Sequence, residues 1–379
     1  MKRVLIFSLA YYPHVGGAEV AVKEITDRIL DIEFHMVTMN FGGEAKEEKI
    51  GNVFVHRVGS GSSYLQKILF IPRAAATAAR LHRAHHFDVF WAMMSYMLFP
   101  IVLLRWRGIR VPYLLTLQEG DPFSHMFSRW FILPFRPLLS VGFKNASAVQ
   151  TISTYLTQWA NRMGYQGLTL IIPNGVDVAR FANGQHQVLA KSAERTTLVT
   201  TSRLVHKNAI DDVIRALALL PDSIHFSIYG IGPDEMMLKA LAKKLGVEHR
   251  VTFKGHIDQS ELPRALGECD IFVRPSRSEG MGISFIEAMA VGLPVIATQE
   301  GGIADFLFDT KRNPDKETTG WAVDRDSPKQ IAEAVKDILA NPSQAARVAV
   351  TAKKLVAEKY DWNLIAGRMR SLFGTIVGI

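Results

Sequence analysis

Three apolar runs in the second half of this chain each stop at a polar loop, and two of the loops lead straight into residues spaced for a helix. That repeated unit restricts the fold more than any other feature. The runs are Thr197 to Ser202, Phe226 to Tyr229 and Asp270 to Pro275. Branched and aromatic residues suit them to strands, and Pro275 ends the last one. The loops that follow are Arg203-Leu204-Val205-His206-Lys207-Asn208, Gly230-Ile231-Gly232-Pro233 and Ser276 to Gly282. Helical spacing then runs from Glu235 to Leu245, and from Ile283 to Val291 through Ile283, Ile286, Met289 and Ala290. Successive strand–loop–helix units build a parallel sheet with all such loops at one edge, and ligands of open parallel sheets bind there.

The residues in these loops suggest what that edge binds. The amides of Gly280, Met281, Gly282 and Ile283 fall at a predicted helix amino terminus, which attracts anions. Glu279 is no anion ligand, but in front of that positive end it can accept hydrogen bonds from sugar hydroxyls. Glu287, one to two turns into the helix, can reach a ribose. Arg203 offers a planar fork for two phosphate oxygens, and Lys207 offers a point charge for a leaving diphosphate. The blander alternatives are a plain helix entry with Glu279 as a first-turn charge, and a pair of solvated surface cations. The shared edge of the three loops favours a pocket for a phosphorylated sugar.

The first half repeats the alternation. Val4 to Leu9, Phe34 to Met39, Val53 to Val58, Phe87 to Met93, Tyr113 to Leu117, Ala148 to Ile152 and Thr169 to Ile172 are predicted strands. Ala18 to Leu30, Leu65 to His85 and Thr154 to Met163 are predicted helices, giving a doubly wound domain. The second domain repeats that logic from Thr197 to about Val323, with the crossing expected near Ile172 to Asn183. At 379 residues the chain exceeds one ordinary core. Its single cysteine, Cys269, excludes an internal disulfide and fits a reducing compartment. Lys2 and Arg3 before a short apolar run read as a first buried strand, because Tyr11-Tyr12-Pro13-His14 offers no small-residue cleavage site. Val89 to Leu104 is interrupted by Pro100 and is too short to span a bilayer, so a strand followed by a helix is expected.

With these residues in place the chain resembles the family 4 glycosyltransferases of the GT-B fold, retaining enzymes that use nucleotide-sugar donors. The most specific element is the Glu-x7-Glu motif of Glu279 and Glu287, followed by Ala288-Met289-Ala290-Val291-Gly292-Leu293-Pro294-Val295-Ile296. Ile172-Pro173-Asn174-Gly175-Val176-Asp177, Ser202-Arg203-Leu204 with Lys207, Gly230-Ile231-Gly232-Pro233 and Gly16-Gly17-Ala18-Glu19 match as well, so the resemblance covers nearly the whole chain. It implies an α/β architecture of two Rossmann-like doubly wound domains facing each other across a cleft. Residues 1–175 would form the acceptor-side domain and 176–358 the donor domain, with 359–379 as a C-terminal helix, near Tyr360-Asp361-Trp362, returning to the first domain. It further implies transfer of a hexose-like unit to an acceptor hydroxyl with retention, by front-face displacement in which the leaving phosphate helps take the proton. Arg203, Lys207 and Glu279 would be the catalytic set. Gly16, Gly17, Gly230, Gly232, His256 and the 280–283 loop would line the donor, and Glu287 would hold the ribose. No cofactor is implied; the nucleotide sugar is a substrate whose base, uracil, guanine or adenine, stays open.

Two departures from the family stand out. Gln118 occupies a place where members commonly carry histidine, which leaves Glu119, Asp121 or His125 to orient the sugar or take a proton on the acceptor side. Asn208 follows the lysine where glycine is frequent.

Asp324-Arg325-Asp326 has the Asp-x-Asp spacing of a metal-diphosphate site, but Ser327, Pro328 and Gln330 read as a capping box, so no metal is expected there. Charge is unevenly spread. Between Lys49 and Val176 thirteen basic residues stand against Asp88, Glu119 and Asp121, so the net charge of +8 belongs to the first domain. Arg73, Arg80 and Arg83 share a face if Pro72 starts a helix, and Phe123, Phe127, Trp130, Phe131, Ile132, Leu133 and Phe135 mix with Arg129 and Arg136. Basic and aromatic residues together suit an anionic membrane surface. The expectation is a cytoplasmic enzyme, peripheral on the inner face of the membrane, acting on a glycan or lipid-linked acceptor. No nucleic-acid recognition motif is present. A dinucleotide-dependent oxidoreductase is disfavoured because Ala10 to Gly17 lacks G-x-G-x-x-G. A non-catalytic sugar-nucleotide-binding protein, a nucleotide-sugar epimerase and a phosphorylase on the same architecture remain as alternatives.

Overall fold

The computed structural model describes residues 1–182 and 195–378. The expected crossing reaches Asn183, which with residues 184–194 and Ile379 lies outside the described residues. Contacts divide the chain into two compact units. One comprises residues 1–174 together with the segment from Trp362, and the other runs from Gly175 to Asp361.

The first unit holds β1 (Lys2–Phe7), β2 (Ile32–Met39), β3 (Glu47–Ile50), β4 (Val53–Val58), β5 (Val89–Met93), β6 (Tyr113–Leu117), β7 (Ala148–Thr151) and β8 (Thr169–Ile171). They form one sheet in the order β3-β4-β2-β1-β5-β6-β7-β8. Its pairings are parallel except that of β3 with β4. The central strands read as unbroken apolar runs because both faces are covered, as parallel sheets require. Val4, Ile6, Trp91 and Leu114 pack with Ala21, Val22 and Ile25 of the helix Gly17–Arg28. The helix Trp362–Val377 completes the same core through Ile365, Met369 and Phe373. The Phe373 ring meets Trp91 edge-on at 5.2 Å, and Arg370 pairs with Asp31 at 2.6 Å. The return of the C-terminal helix to the first unit therefore agrees with the expectation.

The second unit holds β9 (Thr196–Thr201), β10 (Ile224–Tyr229), β11 (Val251–Gly255), β12 (Ile271–Arg274), β13 (Val295–Ala297) and β14 (Trp321–Ala322). Its order is β11-β10-β9-β12-β13-β14, with parallel pairing. Counted from its own first strand that order is 3-2-1-4-5-6, the nucleotide-binding arrangement, and the strand order reverses between β9 and β12. Leu198, Phe226, Ile228, Ile271, Val273 and Ile296 form its centre with Val213 and Ile214 on one helix and Ile331, Val335 and Ile338 on another.

One strand was not anticipated and two expectations need correction. Glu47–Ile50 is a strand that its charge concealed; it lies antiparallel at the sheet edge, where exposed polar residues are tolerated. Pro72 does not start a helix. It sits inside Tyr64–His85, which opens on the Ser63 cap and agrees with the predicted helix from Leu65 to His85; proline there forgoes one intrahelical bond and crowds the preceding turn. The expected exposure of Arg73, Arg80 and Arg83 is nevertheless found. The Ser327 capping box does not form: Ser327 makes no side-chain cap. Gln330 instead accepts from the Asp324 amide and donates to the Asp324 carboxylate, both at 2.8 Å. Asp324 pairs with Arg312 and Asp326 with Arg277. Among the described residues no helix is long and apolar enough to cross a membrane.

Candidate active site

In the second unit the loops after β9 and β12 leave the carboxyl edge side by side at the point where strand order reverses. The first carries Arg203 and Lys207, the second Glu279 and the glycines before the helix Ile283–Val291. Arg277 joins them. Its amide donates to the Lys207 carbonyl at 2.7 Å, and its guanidinium reaches the His206 carbonyl, Asp211, Asp212 and Asp326. Burial, with Asp211 beside it, pushes the Asp212 carboxyl up to about 6. Asn208 explains itself in this setting. It is buried, and its amide donates to the Arg203 carbonyl at 2.6 Å, a bond glycine could not make. Arg203 itself is exposed and Lys207 half-buried.

The loop after β10 lies against the cation loop without space for side chains. A Cβ on Gly230, whose φ is +142°, would meet the Ser202 carbonyl oxygen at 1.8 Å, and one on Gly232 would meet the Leu204 oxygen at 2.2 Å. These glycines let Leu204 donate its amide to the Ile231 carbonyl and accept from the Asp234 amide. At the end of β9 the hydroxyls of Thr200, Thr201 and Ser202 are buried without a hydrogen-bond partner among the described residues. Unpaired hydroxyls at a strand end suit an ordered water or a polar ligand.

Below the glycine loop lies a buried cation the sequence did not reveal. Arg274, the last residue of β12, is 6% exposed. It donates to Ser276 Oγ at 3.0 Å, to Ser284 Oγ at 2.6 Å and to the Glu279 carboxylate, and its plane lies 4.4 Å from the Phe285 ring centre. Glu279 also accepts from the Gly280 amide at 3.0 Å, so its own carboxylate takes up one of the amides at the helix entry. Each carboxylate oxygen keeps a second lone pair for a ligand. Gly282, at φ +87°, has to be glycine, since a Cβ would meet the Phe285 ring at 2.5 Å. Met281 is buried, so its side chain faces the core. Glu287 is buried in a helix that is apolar on every side; it accepts from Gln259 Nε2 at 3.2 Å, and burial pushes its carboxyl up to about 7. His256 stands apart, exposed beyond the edge strand β11, although the neighbouring Gly255 carbonyl accepts from the Gly230 amide at 2.6 Å.

In the first unit Gly16 and Gly17 are exposed at the start of the helix Gly17–Arg28, after β1, which adjoins β5 where that sheet also reverses. The Glu19 carboxylate accepts from the Gly16 amide at 2.8 Å. Glu119 is enclosed rather than exposed. One oxygen accepts from Ser95 N at 2.7 Å and Ser95 Oγ at 2.6 Å, the other from Gln118 N at 2.9 Å, and burial raises its pKa. It braces the turn in which Met94 takes φ +69°, a conformation unusual for a side-chain-bearing residue. Gln118 accepts from Asn174 Nδ2 at 3.1 Å; Asp121 is half-buried and His125 exposed. The clearest missed signals were arginines at the carboxyl end of a strand and in the loop after it, Arg274 and Arg277. Two shallow grooves of about 430 and 490 Å³ lie beside the C-terminal helix, away from these loops.

Residues 182–355 match the family described as Glycosyl transferases group 1, and residues 15–180 match Glycosyltransferase Family 4. The chain is 27% identical to the GDP-mannose-dependent alpha-(1-6)-phosphatidylinositol monomannoside mannosyltransferase of Mycobacterium tuberculosis, covering 97% of each. It is 32% identical to the protein of that name from Mycolicibacterium smegmatis over 64% of this chain and 66% of that one. Among solved structures, the sucrose-phosphate synthase of Thermosynechococcus elongatus superposes with a TM-score of 0.85 at 19% identity over the full length of both chains. Anabaena HepE in complex with UDP-glucose gives 0.79 at 18% identity, covering 99% of this chain and all of the other. With these matches spanning both units, the chain belongs to the family 4 glycosyltransferases and has their GT-B fold.

Proposed function

We propose that this enzyme transfers a hexose from a nucleoside diphosphate sugar to an acceptor hydroxyl with retention at the anomeric carbon and without a metal ion. The observation that carries the reading is the junction of the β9 and β12 loops at the strand-order reversal, where two cations, a glycine-bounded helix start and Glu279 share one edge. Arg203 and Lys207 stabilise the departing diphosphate, the preorganised form of charge stabilisation that lowers a barrier most. The remaining amides of the 281–283 loop hold the phosphate, the free lone pairs of Glu279 accept from sugar hydroxyls, Glu287 holds the ribose, and the backbone near His256 meets the base. On this reading Gly16 and Gly17 serve the donor, and Gln118 and Asp121 orient the acceptor hydroxyl. The similarity to GDP-mannose-dependent relatives supports a GDP-linked donor and a lipid-linked glycan acceptor.

Thermal-shift measurements with UDP, GDP, ADP and their sugars test the donor, since a ligand bound only by the folded state raises the melting temperature. GDP-mannose is expected to give the largest rise. Lys207→Ala is expected to lower turnover by about 10²-fold or more with the melting temperature nearly unchanged; wild-type turnover in that variant would remove Lys207 from the mechanism. Gln118, paired to Asn174 in place of an imidazole, favours a second reading, a donor-binding protein without transfer. Slow hydrolysis of the donor in the absence of acceptor separates the two, and product analysis separates an epimerase.

The first domain, on this reading, works at the cytoplasmic face of an anionic membrane. Trp130 is 83% exposed, and Tyr64, Leu65, Leu133 and Phe135 are exposed as well. Ring contacts link Tyr64 to Phe131 and Phe131 to Trp130, with Arg129 5.0 Å from the Phe131 ring centre. Phe127 and Ile132, by contrast, are core.

A further inference from the structure

Toward the amino end of β2, away from the candidate active site, side chains far apart in sequence form a row. Glu47 Oε1 lies 3.2 Å from His56 Nδ1, His56 Nε2 lies 3.0 Å from His35 Nδ1, and His35 Nε2 lies 3.2 Å from Glu33 Oε1. Two imidazoles thus stand between two carboxylates, making three links. A neutral imidazole carries one proton, so two rings supply two protons and one link is left with lone pairs facing each other. A third proton would require an imidazolium or a protonated carboxyl in this row, and Arg3, donating to Glu33 at 2.8 Å, disfavours the acid there. His35 is 4% exposed and packed against the Phe54 and Phe87 rings, which disfavours the imidazolium.

The inner end of the row is where a third ligand-type side chain arrives. His85, at the end of the helix Tyr64–His85, lies against His35 with ring centres 4.7 Å apart and the planes tilted by 42°. One ligand atom from each of Glu33, His35 and His85 lies within 4.8 Å of the others. The 3.2 Å between His35 Nε2 and Glu33 Oε1 is close to the roughly 3.3 Å that separates two ligands each about 2.05 Å from a tetrahedral ion.

We propose that Glu33, His35 and His85 bind one divalent transition ion of the zinc class, with His56 and Glu47 as the outer hydrogen-bond chain. The proton count then closes. His56 Nδ1–H donates to Glu47, His35 Nδ1–H donates to His56, and the bare Nε2 of His35 faces the metal, the outer-chain pattern that orients a ligating histidine. Two nitrogens and one oxygen suit zinc, cobalt or nickel better than magnesium or calcium. Arg3 donates to Glu33 at 2.8 Å and to the His85 carbonyl at 2.7 Å. It fixes both ligand-bearing segments, but its charge beside the ion weakens binding, so the affinity expected is micromolar. The ion would staple β2 to the end of that helix and stabilise the first unit.

The test uses the full chain, stripped with chelator and titrated with Co²⁺ and with Zn²⁺. Expected are one equivalent bound, a visible Co²⁺ absorption and a raised melting temperature. His85→Ala, at a half-buried position, should weaken binding by about tenfold or more. His86→Ala, the exposed neighbour, should bind as the wild type does. Absence of the absorption band and of any thermal shift at millimolar metal would overturn the proposal, as would wild-type affinity in His85→Ala. Stabilisation by mild acid without any effect of metal would also overturn it, assigning the missing charge to a proton.

Discussion

At the scale of single residues, the pair of Arg274 and Glu279 decides how the glycine loop is held. Removing one member of a buried pair leaves the other uncompensated, which costs about 3–5 kcal/mol. Arg274→Met is therefore expected to destabilise the protein by roughly 3 kcal/mol in urea unfolding, and adding Glu279→Gln should recover part of that loss. Additive losses in the double variant would show that the two side chains do not act as a pair. Glu287 gives a pH signature. Burial raises its carboxyl to about 7, well above the unfolded value, so between the two values the folded state holds a proton that the unfolded state has lost. Stability should fall by about 3 kcal/mol as pH rises from about 4.5 to 7 and level off above that. Glu287→Gln should remove that slope; an unchanged profile would mean the carboxylate is solvated. The spacing of Glu279 and Glu287 was legible in the sequence, but the partners of either were not. Arg274 precedes Glu279 by only five residues, yet nothing in a pattern of apolar residues says that its side chain turns inward to meet it.

At the scale of elements, the strands and helices were legible wherever apolar period and punctuation agreed. Tyr113–Leu117 and Ile283–Val291 fall where the sequence places them. The failures have a common cause, which is that polar residues were read by local rules and then settled by neighbours distant in the chain. Gln330 abandons the Ser327 cap for Asp324, and the charged Glu47–Ile50 pairs along β4. The glycines of the β10 loop show the same thing from the other side. Read as lining the donor, they also lie where backbone meets backbone. Gly232→Ala should therefore cost about 2 kcal/mol or more and weaken donor binding by pushing the two loops apart. Gly367→Ala is the control: its added Cβ meets nothing within 4 Å inside the helix Trp362–Val377, and a gain of about 0.5–1 kcal/mol is expected. Chemical unfolding of both variants checks the contrast, and equal losses would defeat it.

At the scale of the whole molecule, the excess of positive charge lies in the stretch that also exposes Trp130 and Phe135. Juxtamembrane cations contribute about 1 kcal/mol each near an anionic surface, and interfacial aromatics add apolar burial. Vesicles rich in anionic lipid should co-sediment the protein at low salt, and Trp130→Ser with Phe135→Ser should weaken binding by about tenfold. Equal retention on neutral vesicles, or none on anionic ones, would end the membrane reading. The order of assembly is written into the path of the chain. The helix Trp362–Val377 fills the core of the first unit, yet it leaves the ribosome after the whole of the second. A nascent first unit therefore waits, with Trp91 and Phe34 lacking their Phe373 neighbour, until the whole of the second unit has been made. Chaperones would meet that unfinished face during synthesis, and a chain cut before Trp362 would keep it open for good.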